Sequence, residues 1–106
     1  MILIELSKIN NNQLFYAGTK LRKYSVGLNV KDISADYYDY ILAYTLWDSK
    51  SMMLVNITEG VGKNKAGSVY GGVLPVKLEH GIAVVDKSSF HHTLGDDLKN
   101  WYIINP

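Results

Sequence analysis

Turn-forming residues recur so often along this chain that few of the runs between them are long enough for anything but a strand or a brief helix. "NNNQ" at 10–13, Gly18-Thr19, "TEGVGKNKAGS" at 58–68, Gly71-Gly72 and "EHG" at 79–81 supply asparagine or glycine. These residues tolerate left-handed backbone or bond their own main chain. The segments they bound, residues 2 to 6, "LFYAG", "LRKYSVGLNV", "MMLVNITEG", "SVYGGVLPVKL" and "IAVV", are apolar runs of strand length. The first three predict an N-terminal meander. The two runs flanking the glycine-lysine loop predict a hairpin or a neighbouring pair. Gly71-Gly72 inside the second of them predicts a bulge or a close approach by another backbone, and Pro75 limits ladder donation there.

One stretch escapes this punctuation. "DISADYYDYILAYTLWD", residues 32–48, contains neither glycine nor proline. Asp32 or Ser34 suits a helix N-cap, and Tyr37, Ile41, Tyr44 follow helical spacing, which predicts a helix over 34–46. Alternation fits as well, because Tyr38, Tyr40, Leu42, Tyr44 and Leu46 would share one face of a strand, and tyrosine favours strands. In the tail, Leu94, Leu98, Trp101 and Tyr102 fit a short helical face interrupted by Gly95. The expected fold is α+β: one domain over residues 1–106, with a mainly antiparallel sheet of about five or six strands and one or two helices.

The 106 residues suit a single core and are too few for a nucleotide-hydrolase sheet with its flanking helices. With no cysteine, disulfides, thiolate metal sites and a cysteine nucleophile are excluded. A formal net charge of +1 gives no overall field toward nucleic acid or membrane. "MILIEL" lacks the basic leader and long apolar stretch of a signal peptide or anchor, so a cytoplasmic protein without membrane contact is expected.

The glycine-lysine loop fails as a phosphate cradle. A Walker loop needs Gly, four residues, then Gly-Lys-Ser/Thr, whereas here Gly62-Lys63 is followed by Asn64 and the position five before Gly62 is Ile57. His91 and His92 stand near Asp96 and Asp97, but adjacent residues point apart on either regular backbone and chelate one ion poorly. No Gly-x-Ser-x-Gly elbow occurs. No enzyme, cofactor or metal site is therefore expected. A small enzyme or nucleic-acid-binding module using the His91/His92 or Lys63/Lys65 regions is the alternative, with nucleic acid ranked below a protein partner.

Asp32, Asp36 and Asp39 follow i, i+4, i+7 spacing, so a helix would carry them on one side with Tyr37, Tyr40 and Tyr44 nearby. The macrodipole alone would favour such acids near a helix N-terminus. A carboxylate stripe with tyrosines also suits docking to a basic partner, because opposite potentials speed encounter and buried aromatics slow dissociation. With this segment, "LWDSKSMMLVNITEG…KAGSVYGGVLP" and the closing "LKNWYIINP", the chain resembles the small immunity proteins of bacterial polymorphic and contact-dependent toxin systems. The resemblance implies a non-enzymatic antitoxin that binds a cognate protein toxin and blocks its active site or substrate surface. Its candidate partner-binding residues are Asp32, Asp36, Asp39, Tyr37, Tyr40 and Tyr44. Near-neutral charge departs from the acidic character common among immunity proteins that face cationic nucleases, which points away from a nuclease as the partner.

Overall fold

The computed structural model describes residues 2–24, 37–45, 48–58 and 68–105. Its strands are β1 (Ile2–Glu5), β2 (Lys20–Tyr24), β3 (Tyr37–Thr45), β4 (Asp48–Asn56), β5 (Val69–Leu74), β6 (Lys77–Glu79), β7 (Ile82–Val84) and β8 (Trp101–Asn105). Among the described residues one α-helix, α1 (Lys87–Leu94), runs into a 3₁₀ turn at Gly95–Asn100, and another 3₁₀ turn at Leu6–Lys8 follows β1. Six strands form one sheet in the order β1-β8-β2-β3-β4-β5, antiparallel at every pairing. With a helix packed against it, this is the expected α+β domain. No helix among the described residues is long and apolar enough to cross a membrane.

The helix expected over 34–46 is a strand from Tyr37 to Thr45. Both periodicities were present, and tertiary pairing decided between them. Tyr40 pairs with Leu21 of β2 on one side and with Asn56 of β4 on the other. Alternation puts Tyr38, Tyr40, Leu42 and Tyr44 on the face that meets the main core. Two ladders and a buried face outweigh a local helical preference.

The tail differs too. The helix starts earlier than Leu94, at Lys87, with Asp86 as its N-cap: the Asp86 carboxylate accepts the Ser89 N–H at 3.1 Å while Ser89 Oγ accepts the Asp86 N–H. This reciprocal cap satisfies donors that the first turn leaves unpaired. Gly95, at φ 58°, ends the helix, and Trp101 and Tyr102 lie in β8 rather than on a helical face. "LFYAG" forms no strand; Phe15 makes only an isolated bridge to Val85.

The β4–β5 hairpin and its bulge are as expected. Met53 faces Val73 and Leu54 faces Tyr70, so Gly71 and Gly72 are extra residues on β5, both with positive φ. The close neighbour is a side chain: a Cβ on Gly71 would lie 3.1 Å from Thr93 Cγ2 of α1. Gly72 has open space there. Gly72→Ala is therefore expected to cost about 1–2 kcal/mol through left-handed backbone alone, and Gly71→Ala more, because it adds the contact with Thr93. Urea denaturation of the two variants checks this order; equal and negligible costs would contradict it. Beyond the hairpin, His80 and Gly81 both have positive φ in the two-residue turn joining β6 to β7, as a primed hairpin turn requires.

The core lies on one face of the sheet. Leu21, Leu42, Met52, Leu54, Trp101 and Ile103 point from the strands into a layer made by Leu6, Ile9, Phe15, Ala83, Val85, Phe90, Leu94 and Leu98. Phe15 and Phe90 meet edge to face with centroids 5.6 Å apart.

Candidate functional site

Because β3 is a strand, its tyrosines divide between two faces. Tyr37 and Asp39 point away from the main core, whereas Tyr40 is buried in it and Tyr44 packs against it half-buried. Asp32 and Asp36 lie outside the described residues, as does the loop bearing Lys63 and Lys65.

Asp39 is engaged by its neighbours. Arg22 of β2, directly opposite in register, donates Nε–H to Asp39 Oδ1 at 2.8 Å and Nη2–H to Oδ2 at 3.1 Å. Its guanidinium carbon lies 3.9 Å from the Tyr37 ring centroid. The hydrogen bond to Asp39 raises the Arg22 pKa above its already high ordinary value, so the fork stays charged. The Asp39 N–H donates to Thr58 Oγ at 2.8 Å, and the Thr58 N–H donates to Asn56 Oδ1 at 2.8 Å. With side-chain exposures of only 12% and 20%, Arg22 and Asp39 hold a fixed geometry on this face. Tyr24, Tyr37 and Tyr102 pack beside them with Leu3, Tyr24 and Tyr102 edge to face at 5.5 Å.

Further along the same face come two apolar cross-strand rows. Register places Ile41 opposite Val55 and Val55 opposite Val69; Ala43 lies opposite Met53 and Met53 opposite Val73. None of the six belongs to either hydrophobic cluster. Val69 and Val73, on edge strand β5, are 46% and 59% exposed. The spacing that suggested a carboxylate stripe concealed this patch. The signal that could have revealed it is Val69, Val73, Met53 and Val55 standing out of phase with the core-facing Tyr70, Leu74, Met52 and Leu54.

On the core side, Tyr40 stacks with Trp101 and Tyr70 at centroid distances of 5.1 and 5.6 Å. Asp97 ties this cluster together, accepting from Trp101 Nε1–H at 3.1 Å and Asn100 Nδ2–H at 2.7 Å, with Lys23 Nζ at 3.5 Å. Burial alone would raise the Asp97 carboxyl, but these hydrogen bonds and the charge of Lys23 hold it below its ordinary value. Tyr40 and Tyr70 titrate above the usual phenol range, chiefly through burial; Tyr38 and Tyr70 add repulsion to Tyr40, and Asp97 adds it to Tyr70.

His91 and His92 are exposed on α1. No group of three or more His, Cys, Asp or Glu that could hold a metal ion occurs among the described residues. Compared with known proteins, the chain matches no family model, no curated protein and no solved structure.

Proposed function

We propose that this is a non-enzymatic binding protein that neutralises a cognate protein toxin in the bacterial cytoplasm, in the manner of an immunity protein. The observation that carries the reading is the pair of apolar rows, Ile41–Val55–Val69 and Ala43–Met53–Val73, bordered by the Arg22–Asp39 pair and the Tyr24, Tyr37 and Tyr102 rings. Contiguous apolar surface with a polar rim is what a protein partner buries. Tyrosine and arginine are the side chains that most often dominate such contacts. In this reading Tyr37 and Asp39 belong to the rim, and Tyr40 and Tyr44 support it from beneath the sheet.

Val69→Lys and Val73→Lys test it, because both positions are exposed. Each is expected to change folding stability by about 0.5 kcal/mol or less, yet to weaken toxin binding by about 2 kcal/mol, roughly thirtyfold. Calorimetry against the toxin encoded beside this gene reads the affinity, and thermal unfolding reads the stability. Asp39→Lys is a poorer probe, since it would also place a cation against Arg22. Undiminished affinity in the Val69→Lys, Val73→Lys double variant would sink the assignment of this face. Loss of self-association, with toxin binding intact, would make the patch a contact between copies of this chain.

A further inference from the structure

A pocket of about 250 Å³ opens on the core side at one end of the sheet, lined by Lys23, Tyr38, Tyr40, Asn56 and Tyr70 and, at its margin, by Ser68 and Val69. Two of these side chains are polar, nearly withdrawn from solvent and only partly used: Asn56 is 2% exposed and Tyr40 is 7%. Asn56 Oδ1 accepts the Thr58 N–H at 2.8 Å, which fixes the amide and turns Nδ2 the other way. Among the described residues neither Asn56 Nδ2 nor the Tyr40 hydroxyl has a hydrogen-bond partner, and neither is sealed from the pocket. Both donors open onto the pocket and can donate to a guest there. Tyr38, Tyr40 and Tyr70 together line this space.

We propose that the pocket binds a carboxylate group, with Asn56 Nδ2 and the Tyr40 hydroxyl donating to its oxygens and Lys23 supplying the opposite charge. The neighbouring acceptor, Asp97, is already taken. Its Oδ1 receives Asn100, and its Oδ2 receives Trp101 and lies 3.5 Å from both Lys23 Nζ and the Tyr70 hydroxyl. What remains at the pocket is a surplus of donors, which calls for an acceptor-rich guest. Lys23 has three N–H groups, and its ammonium lies 3.5 Å from Asp97 Oδ2 and 6.0 Å from the Tyr70 ring centroid, so it retains donors for a second anion. One cation shared in this way suits a monoanion better than a phosphate dianion, whose second charge would be left without a counterpart. The volume suits a carboxylate with a few carbons, whose methylenes would rest on the tyrosine rings; a nucleotide is too large.

This inference does not rest on the partner-binding reading, although Val69 borders both sites, and its test uses the protein alone. Sodium acetate and acetyl-glutamate amide are titrated into ¹⁵N-labelled protein at constant ionic strength, with acetyl-glutamine amide as the uncharged control and inorganic phosphate as the competing anion. The Asn56 side-chain amide is expected to shift saturably with an acetate Kd of about 1–10 mM. Tyr40→Phe removes only the hydroxyl, and Asn56→Asp keeps the acceptor for Thr58 while removing the donor; each is expected to weaken binding about tenfold. Val73→Lys, on the opposite face, should leave the Kd unchanged, which separates failure here from failure of the toxin-binding reading. Binding of acetyl-glutamate amide but not its glutamine analogue supports a side-chain source, and binding of acetate alone supports a small free acid. Linear, non-saturating shifts with both carboxylates, an unchanged Kd in both variants, or phosphate binding as tightly as acetate would each overturn the carboxylate assignment.

Discussion

Trp101→Ala is expected to destabilise the domain by about 3–5 kcal/mol, a large share of the roughly 5–15 kcal/mol that holds a domain of this size together. Trp101 is fully buried. It sits in β8 opposite Lys23 of β2, and its ring stacks against Tyr40 and Tyr70. Alanine there opens a cavity that three strands would have to close, and rigid ladders relax little. It also removes the Nε1–H donor from Asp97, leaving a mostly buried carboxylate with fewer partners. Trp101→Phe keeps part of the ring and loses only the donor and some volume, so its cost should be about half. Urea unfolding of both variants at neutral pH checks this: a lowered midpoint with an unchanged slope is expected. A loss below about 1 kcal/mol for Trp101→Ala would mean that the cluster around it is not the anchor of the fold.

Asp86→Asn should cost about 2 kcal/mol at pH 7 and lower the Tm by roughly 10 °C. The carboxylate is almost wholly buried. It meets Lys77 Nζ at 2.6 Å, accepts Ser88 Oγ–H at 2.6 Å and caps α1 through the Ser89 N–H. The hydrogen bond from Lys77, then that from Ser88, hold its pKa far below the ordinary carboxylate value, against the opposing effect of burial. A group depressed on folding contributes stability that is complete above its unfolded pKa, about 3.9, and is lost as pH falls toward the folded value. The gap between wild type and Asp86→Asn should therefore be full at pH 5 to 7 and narrow progressively below about pH 4. Asp97 adds acid sensitivity of the same sign, but it is common to both proteins and cancels in the difference. A gap independent of pH would show that the charge of Asp86 adds nothing beyond the shape of its cap.

How much of this was legible depended on how local each cause was. The β4–β5 hairpin could be read because its turn chemistry and the Gly71-Gly72 bulge lie within a few residues of one another. β3 could not, since residues 37–45 satisfy helical spacing and alternation equally, and its ladders involve Leu21 and Asn56, which sequence proximity does not announce. That one ambiguity propagated to the site: as helix neighbours, Asp39, Tyr40 and Tyr44 share a surface, whereas on a strand Tyr40 turns inward and Asp39 outward toward Arg22. The start of α1 was written in the sequence as Asp86-Lys87-Ser88-Ser89, an N-cap with its reciprocal partner three residues on, but the spacing of Leu94, Leu98 and Trp101 mimics a helical face that begins later. The Arg22–Asp39 fork and the Asn56 amide owe their geometry to pairings across the sheet, which no local pattern contains.

The strand order has a consequence for how the molecule is made. β8 is inserted between β1 and β2, so that Ile2 faces Asn105 while Leu21 faces Ile103 on the other side. Among the described residues β1 has no other partner in the sheet. A nascent chain can form the β2–β3–β4–β5 meander as it emerges, but its first strand must wait, unmated, until residues 101–105 have left the ribosome. Closing so long a loop costs entropy before any contact repays it, which makes docking of the last strand the natural slow step of folding. Until then the backbone of Ile2–Glu5 lacks the strand it pairs with.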